Sequence, residues 1–93
     1  MSKLNKILHQ ELRLAIISYL SDFEWVNFNQ LLEVTEATKG NLSAQVSKLQ
    51  DAGYIEVKKS FKNNYPLTEY KITSTGRKEL EQYVKDLKML LNI

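Results

Sequence analysis

Residues 38–73 read TKGNLSAQVSKLQDAGYIEVKKSFKNNYPLTEYKIT, and the spacing of their apolar side chains changes once, at Gly53. Before this glycine, apolar residues recur at intervals of four and three, which predicts a helix over residues 39–52 with one buried stripe. The stripe consists of Leu42, Val46 and Leu49. Gly53 stands where helices commonly end in a left-handed residue. After it, apolar and polar residues alternate, as they do in half-buried strands.

The alternating stretch predicts a β-hairpin with strands over residues 54–61 and 67–73 and a tip at Asn63-Asn64. With this tip, two apolar pairs fall on one face and two oppositely charged pairs fall on the other. The apolar pairs are Ile55–Ile72 and Val57–Tyr70, and the charged pairs are Glu56–Lys71 and Lys58–Glu69. Each such pair contributes about 0.2–1 kcal/mol, and a slip of one residue would turn every side chain to the wrong face. The pattern therefore predicts one register.

The flanking sequence adds helices on both sides. A helix is predicted over residues 6–20, a very short strand at 24–26, a short helix over 28–34 and a final helix over 74–91. The residues predicted to cap helices are Asn27, Thr38 and Thr73. Two short helices joined by a tight turn, with a hairpin directly behind, are typical of a winged helix-turn-helix. We therefore predict an α+β, mostly helical fold with a two-stranded wing and a C-terminal helix.

Composition limits the functions open to this chain. Its 93 residues suit one domain, predicted over residues 1–93. The chain has no cysteine and a single histidine, His9, so thiolate and multi-histidine metal sites are excluded. We expect His9 on the surface or in an interface. No nucleophile–base pairing or glycine-rich phosphate loop is present, so we expect neither an enzyme nor a cofactor. Without a long apolar run or a signal-peptide pattern, the sequence predicts a cytoplasmic protein with no membrane partner.

The residue types on the predicted helix over residues 39–52 favour contact with DNA. Opposite its apolar stripe this helix carries mainly small or uncharged polar side chains, whereas a solvated helix usually carries more charge. Asn and Gln can pair bidentately with adenine, and the N–H groups of a helix N-terminus suit phosphate oxygens. Residues 39–71 contain six lysines against three acidic residues, a local net charge of +3. The predicted DNA-contacting residues are Thr38, Lys39, Gly40, Asn41, Ser43, Ala44, Gln45 and Lys48 on the helix, with Lys59 and Lys62 on the wing.

Both ends of the chain carry apolar residues beyond what one small core is expected to need. We predict that residues 77–93 form a dimerisation helix and that the N-terminal segment joins it in a homodimer interface. The predicted interface residues are Leu4, Ile7, Leu8, Leu80, Tyr83, Val84, Leu87 and Leu91. The alternative is that these residues pack in the core of a single chain. A two-fold dimer would place two recognition helices about one DNA turn apart.

Several short segments resemble the small winged-helix DNA-binding domains related to MarR- and ArsR-type regulators, over about His9 to Tyr83. The segments are Phe28–Leu31, Thr38–Ser43, Lys48-Leu49, Ala52–Ile55, Thr68–Thr73 and Gly76-Arg77. The resemblance implies a cytoplasmic prokaryotic transcription factor that binds DNA as a homodimer. It also marks Asn41, Ser43, Gln45 and the wing around Lys62 as facing DNA. Metal sensing of the ArsR type is not implied, because its cysteine ligands are absent.

The function predicted from these features is sequence-specific binding of double-stranded DNA by a homodimeric transcriptional regulator, a repressor. The alternative is a winged helix that serves as a protein–protein interaction module in a larger complex. The net charge of +3 over residues 39–71 favours DNA binding over this alternative, because a positively charged surface attracts a polyanion such as nucleic acid. An exposed apolar patch on the helix over residues 39–52 would favour the alternative.

Overall fold

The computed structural model describes residues 3–93, which form four helices and three strands. The mostly helical α+β fold predicted from the sequence, ending in a C-terminal helix, is confirmed. The elements are α1 (Glu11–Leu20), β1 (Val26–Asn27), α2 (Phe28–Thr35), α3 (Lys39–Asp51), β2 (Ile55–Lys62), β3 (Tyr65–Ile72) and α4 (Ser74–Leu91). No helix within these residues combines the length and the apolar surface that crossing a membrane would take.

Three helices begin at the residues predicted to cap them. Asn27 forms a full capping box with Gln30, because its Oδ1 accepts from the Gln30 N–H at 2.8 Å and its own N–H donates to Gln30 Oε1 at 3.0 Å. Thr38 Oγ1 accepts from the Asn41 N–H at 3.1 Å at the start of α3, and Thr73 Oγ1 accepts from the Gly76 N–H at 3.0 Å at the start of α4. Each cap satisfies a backbone donor that the helix itself leaves free.

The first helix is shorter than predicted. It begins at Glu11 rather than near residue 6, with Gln10 as its N-cap. The preceding segment forms a separate turn, in which Asn5 Oδ1 accepts from the N–H groups of Ile7 and Leu8 at 2.8 and 3.0 Å. The apolar spacing continues through this turn because Leu8 packs into the same core, and periodicity alone does not reveal the break.

The hairpin has the predicted register. All four predicted cross-strand pairs are present, and the strands reach the tip at Asn63 and Asn64, whose φ angles of 52° and 66° suit a two-residue turn between right-twisted strands. The short strand lies at Val26–Asn27, not at residues 24–26, and it pairs with β3. The wing hairpin is therefore part of a three-stranded antiparallel sheet of order β1-β3-β2.

The core lies where one face of the sheet meets the buried sides of the four helices. Its buried members include Ile16, Leu31, Leu42, Leu49 and Ile72, together with Leu4, Leu8, Ile17, Leu20, Val26, Val46, Ile55, Tyr70 and Tyr83. Burial raises the pKa of the Tyr70 phenol above its ordinary value, because desolvation disfavours the charged phenolate.

Three residues predicted for the dimer interface, Leu4, Leu8 and Tyr83, belong to the buried core of a single chain. These side chains are 9%, 0% and 3% exposed, so they pack mainly within their own chain. The N-terminal turn covers the core beside α4, where His9 Nδ1 lies 2.8 Å from the Tyr83 hydroxyl. Ile7, Leu80 and Leu87 are half-buried against this core, whereas Val84 and Leu91 remain exposed.

Candidate nucleic-acid interface

Helix α3 presents one buried face and one exposed face. Leu42 and Leu49 are fully buried and Val46 is 6% exposed, which fixes the rotation of the helix against the core. The opposite side is exposed and carries Lys39, Gly40, Asn41, Ser43, Ala44, Ser47 and Lys48. Residues 39–50 include no carboxylate. The exposed side of α3 is therefore a narrow surface of small, amide, hydroxyl and ammonium groups.

Gly40 has no role in packing within the described residues. A Cβ placed at this position would meet no atom within 4 Å, and the residue does not have a positive φ. In a helix, glycine is about 0.8–1 kcal/mol less favourable than alanine. The residue therefore weakens α3 without a compensating contact inside residues 3–93, and it leaves the backbone of the first turn open to close approach from outside.

A chain of side-chain hydrogen bonds crosses from α1 to the exposed side of α3. Arg13 Nη1 donates to Gln45 Oε1 at 2.5 Å, and Gln45 Nε2 donates to Asn41 Oδ1 at 3.1 Å. Arg13 is itself held by a bond from Nε to the carbonyl oxygen of Ile7 at 2.6 Å. Gln45, predicted to face DNA, is half-buried and has both ends of its amide engaged, so it connects Arg13 to Asn41.

The lysines of the sheet divide into paired and unpaired groups. Lys58 Nζ lies 3.7 Å from Glu69 Oε1, in agreement with the predicted register. Lys71 Nζ lies 3.7 Å from Glu24 Oε1 instead of pairing with Glu56. Their ammonium groups lie 4.2 and 5.6 Å from the centroid of the Trp25 ring, so Trp25 covers the sheet surface and is not part of the core. Among residues 3–93, the predicted contact lysines Lys39, Lys48, Lys59 and Lys62 have no ion-pair partner.

The tip of the hairpin carries two aromatic side chains outside the set of predicted DNA-contacting residues. Phe61 and Tyr65 are 78% and 75% exposed. In the register they lie opposite Pro66 and Lys62, so rings and an ammonium group share the tip. Their position could have been noticed in the sequence, because aromatic residues next to a two-residue turn lie too far from the helices to join a core.

The family of the chain follows from comparison with known proteins. A sequence model described as the winged helix DNA-binding domain matches residues 12–91. The chain belongs to this family. An uncharacterized protein of Methanocaldococcus jannaschii is 34% identical over 85 residues, which cover 91% of this chain and 92% of that protein.

Solved structures give the same result. A transcriptional regulator homologue from Pyrococcus horikoshii superposes with a TM-score of 0.86 at 28% identity, over 92% of this chain and 85% of that one. A protein described as a MarR-family regulator from Porphyromonas gingivalis shares the fold with a TM-score of 0.73 at 20% identity, over 92% of this chain and 83% of that one. The predicted resemblance to small winged-helix DNA-binding domains is confirmed.

As a winged helix domain, the chain has α2 and α3 as its helix-turn-helix and the β2–β3 hairpin as its wing. The structure brings the predicted α3 residues onto one helix and leaves all of them except Gln45 exposed, while Lys59 and Lys62 are exposed on the wing. Arg13 was missed because no spacing rule links it to Gln45, which follows 32 positions later in the chain.

Proposed function

We propose that this winged helix chain is a cytoplasmic, sequence-specific regulator of transcription that binds double-stranded DNA as a homodimer and acts as a repressor. A homologue similar over most of its length is described as a transcriptional regulator, which supports regulation as the role. The observation that carries the proposal is the exposed side of α3, which has no carboxylate between residues 39 and 50 and displays amide and hydroxyl groups suited to base edges.

Base reading and phosphate binding are assigned to different residues in this proposal. Asn41, Ser43 and Ala44 face the base edges, and the first turn of α3, with Thr38 and Gly40, approaches a phosphate through its N–H groups. The unpaired lysines Lys39, Lys48, Lys59 and Lys62 bind phosphates. Neutralising four phosphates per protomer corresponds to a slope of about −4 in a plot of log affinity against log salt.

The homodimer is proposed to form through the outer side of α4. Apolar side chains remain exposed over its last turns and the chain end, namely Val84, Met89, Leu90, Leu91 and Ile93. Leu80 and Leu87 continue this surface toward the core, where they are half-buried. The longest dimension of the molecule is 50 Å against 25 and 21 Å for the others, so the molecule is elongated. Burying the same apolar surface on two copies is the arrangement that a two-fold interface requires.

Titration of DNA binding tests the proposal. The protein is mixed with a random duplex pool at several salt concentrations, and sequences retained from that pool are identified and measured individually by fluorescence anisotropy. We expect binding that weakens steeply with salt and a retained sequence with two related half-sites. Placed over a promoter, that sequence should lower transcription when the protein is present. No binding to any duplex at low salt would overturn DNA binding, and rising transcription would overturn repression alone.

A further inference from the structure

We infer that Arg13 on α1 sets the direction of the Asn41 side-chain amide through Gln45, and that Asn41 thereby selects adenine. This inference rests on the DNA binding proposed above. It assigns a positioning role to a residue outside the helix that enters the groove.

The direction of the Gln45 amide is determined by the chemistry of Arg13. A guanidinium group has only donors, so the atom that meets Arg13 Nη1 at 2.5 Å must be the Gln45 oxygen. The Gln45 nitrogen then points along α3. It donates to Asn41 Oδ1 at 3.1 Å, across one helical turn. Because Arg13 is half-buried and also held by the Ile7 carbonyl, its own position is constrained.

The same reasoning determines which end of Asn41 faces outward. Its oxygen accepts from Gln45, so its NH2 group is turned to solvent, and no group among residues 3–93 accepts a hydrogen bond from Nδ2. The exposed amide thus offers two N–H donors beside an oxygen that keeps one free lone pair. Adenine presents the matching pair in the major groove, with N7 as acceptor and the N6 amino group as donor.

Removing the guanidinium should release both amides. Without Arg13, the Gln45 amide can present either its oxygen or its nitrogen to Asn41, and Asn41 can then point either end outward. Only one of the two directions matches adenine, so binding becomes weaker by the free energy needed to select that direction. The loss should be confined to the base pair read by Asn41, because phosphate contacts do not depend on the direction of an amide.

The test uses the full chain and the duplex selected from the random pool. At each A·T pair in turn, adenine is replaced by 7-deazaadenine, which removes the N7 acceptor. The pair read by Asn41 is the one at which this replacement weakens binding of the wild type but not of Asn41→Ala. Arg13→Met is then measured on the normal and the deaza duplex and on random DNA. Arg77→Met is the charge-matched control, because Arg77 Nη1 donates to the carbonyl of Ser21 and not to any residue of α3.

We expect Arg13→Met to reduce the preference for adenine over 7-deazaadenine by about twofold, because about half of the Asn41 amides would then present the wrong end to the base. On random DNA, Arg13→Met and Arg77→Met should lose affinity to the same small extent. In the Asn41→Ala background, Arg13→Met should have no further effect at that base pair, as expected for residues acting through one contact. Thermal unfolding of each variant shows whether it is folded under the binding conditions.

Equal losses for Arg13→Met on adenine, deazaadenine and random DNA would overturn the inference and leave Arg13 as a general cationic contact. An undiminished Arg13→Met effect in the Asn41→Ala background would overturn it as well. If Arg13→Met does not fold, Gln45→Met takes its place. This variant removes the connection between Arg13 and Asn41 without changing charge, and it leaves the Arg13–Ile7 bond intact. Retained adenine preference in Gln45→Met would overturn the inference. Absence of any preferred duplex for the wild type would instead refute the proposed function.

Discussion

Gly76, in the first turn of α4, packs directly on the backbone of Tyr54. A Cβ at residue 76 would lie 2.1 Å from the Tyr54 carbonyl oxygen and 2.9 Å from its carbonyl carbon. Beside this contact, the Thr73 N–H donates to the Tyr54 carbonyl at 3.0 Å and Thr73 Oγ1 donates to the Gly53 carbonyl at 2.7 Å. The start of α4 is thereby joined to the point where α3 ends and the wing begins.

Replacing Gly76 tests this junction. Gly76→Ala should lower the free energy of unfolding by about 1–3 kcal/mol, since the methyl group would overlap backbone atoms that cannot move aside as a flexible side chain could. Urea unfolding followed by circular dichroism measures the change as a lower midpoint with an unchanged slope. Wild-type stability in this variant would mean that α4 can shift away from Tyr54 without loss.

Replacing Gly40, in α3, should have the opposite effect on stability to replacing Gly76. Gly40→Ala should raise the free energy of unfolding by up to about 1 kcal/mol, because the site is helical, exposed and free of neighbours. The same variant should bind DNA more weakly, since the added methyl group separates the first turn of α3 from the phosphate it approaches. Urea unfolding and anisotropy on one protein sample report the two effects. Unchanged DNA affinity would remove Gly40 from the interface.

Base-reading and phosphate-binding residues should respond differently to salt. Lys62→Ala should weaken binding to selected and random duplexes alike and reduce the salt slope by about one for each protomer bound. Lys58→Ala is the control, because Lys58 is already paired with Glu69 at 3.7 Å and should change the slope less. Asn41→Ala should cost about 1–3 kcal/mol on the selected duplex only. Identical losses for Lys62→Ala and Asn41→Ala on all duplexes would contradict this division of roles.

The aromatic tip of the wing should add affinity that does not depend on salt. Phe61→Ala should weaken DNA binding by about 1–2 kcal/mol, since burying a phenylalanine fully contributes about 1.5–3 kcal/mol, and no counterion is released by an apolar contact. Titrations at three salt concentrations should therefore give parallel lines for the variant and the wild type. Phe23→Ala is the control, because Phe23 is 51% exposed and lies against Tyr19, at the end of the wing opposite its tip. If both variants bind DNA normally, the aromatic tip does not contribute to DNA binding.

Dimer formation should depend on the exposed end of α4. Val84→Gln combined with Leu91→Gln should give a folded monomer, because these side chains are 41% and 55% exposed and contribute little to the core of one chain. Sedimentation equilibrium at micromolar concentration measures the change, with Gln82→Ala as an exposed control on the same helix. The monomer should bind a two-half-site duplex far more weakly and with about half the salt slope. A wild type that sediments as a monomer would end the dimer proposal.

Short-range relationships were readable from the sequence. The caps at Asn27, Thr38 and Thr73 join residues three apart, and the hairpin register follows from pairs arranged symmetrically about Asn63 and Asn64. Both depend on residue type and spacing within a few turns or across one tight loop, where the backbone geometry is known in advance. The stripe that turns α3 toward the core is of the same kind.

Contacts between distant segments were decided only by the tertiary structure. Apolar spacing could not distinguish a dimer interface from a core for Leu4, Leu8 and Tyr83, because both environments select the same side chains. Likewise, nothing local to Arg13 indicates that α1 packs so that its guanidinium reaches Gln45, since that contact depends on how the two helices cross. The sequence by itself determined the order of the elements, the caps of three helices, the wing register and the charge of the α3 surface. Packing in three dimensions decided which apolar residues were left exposed and which end of the Asn41 amide points outward.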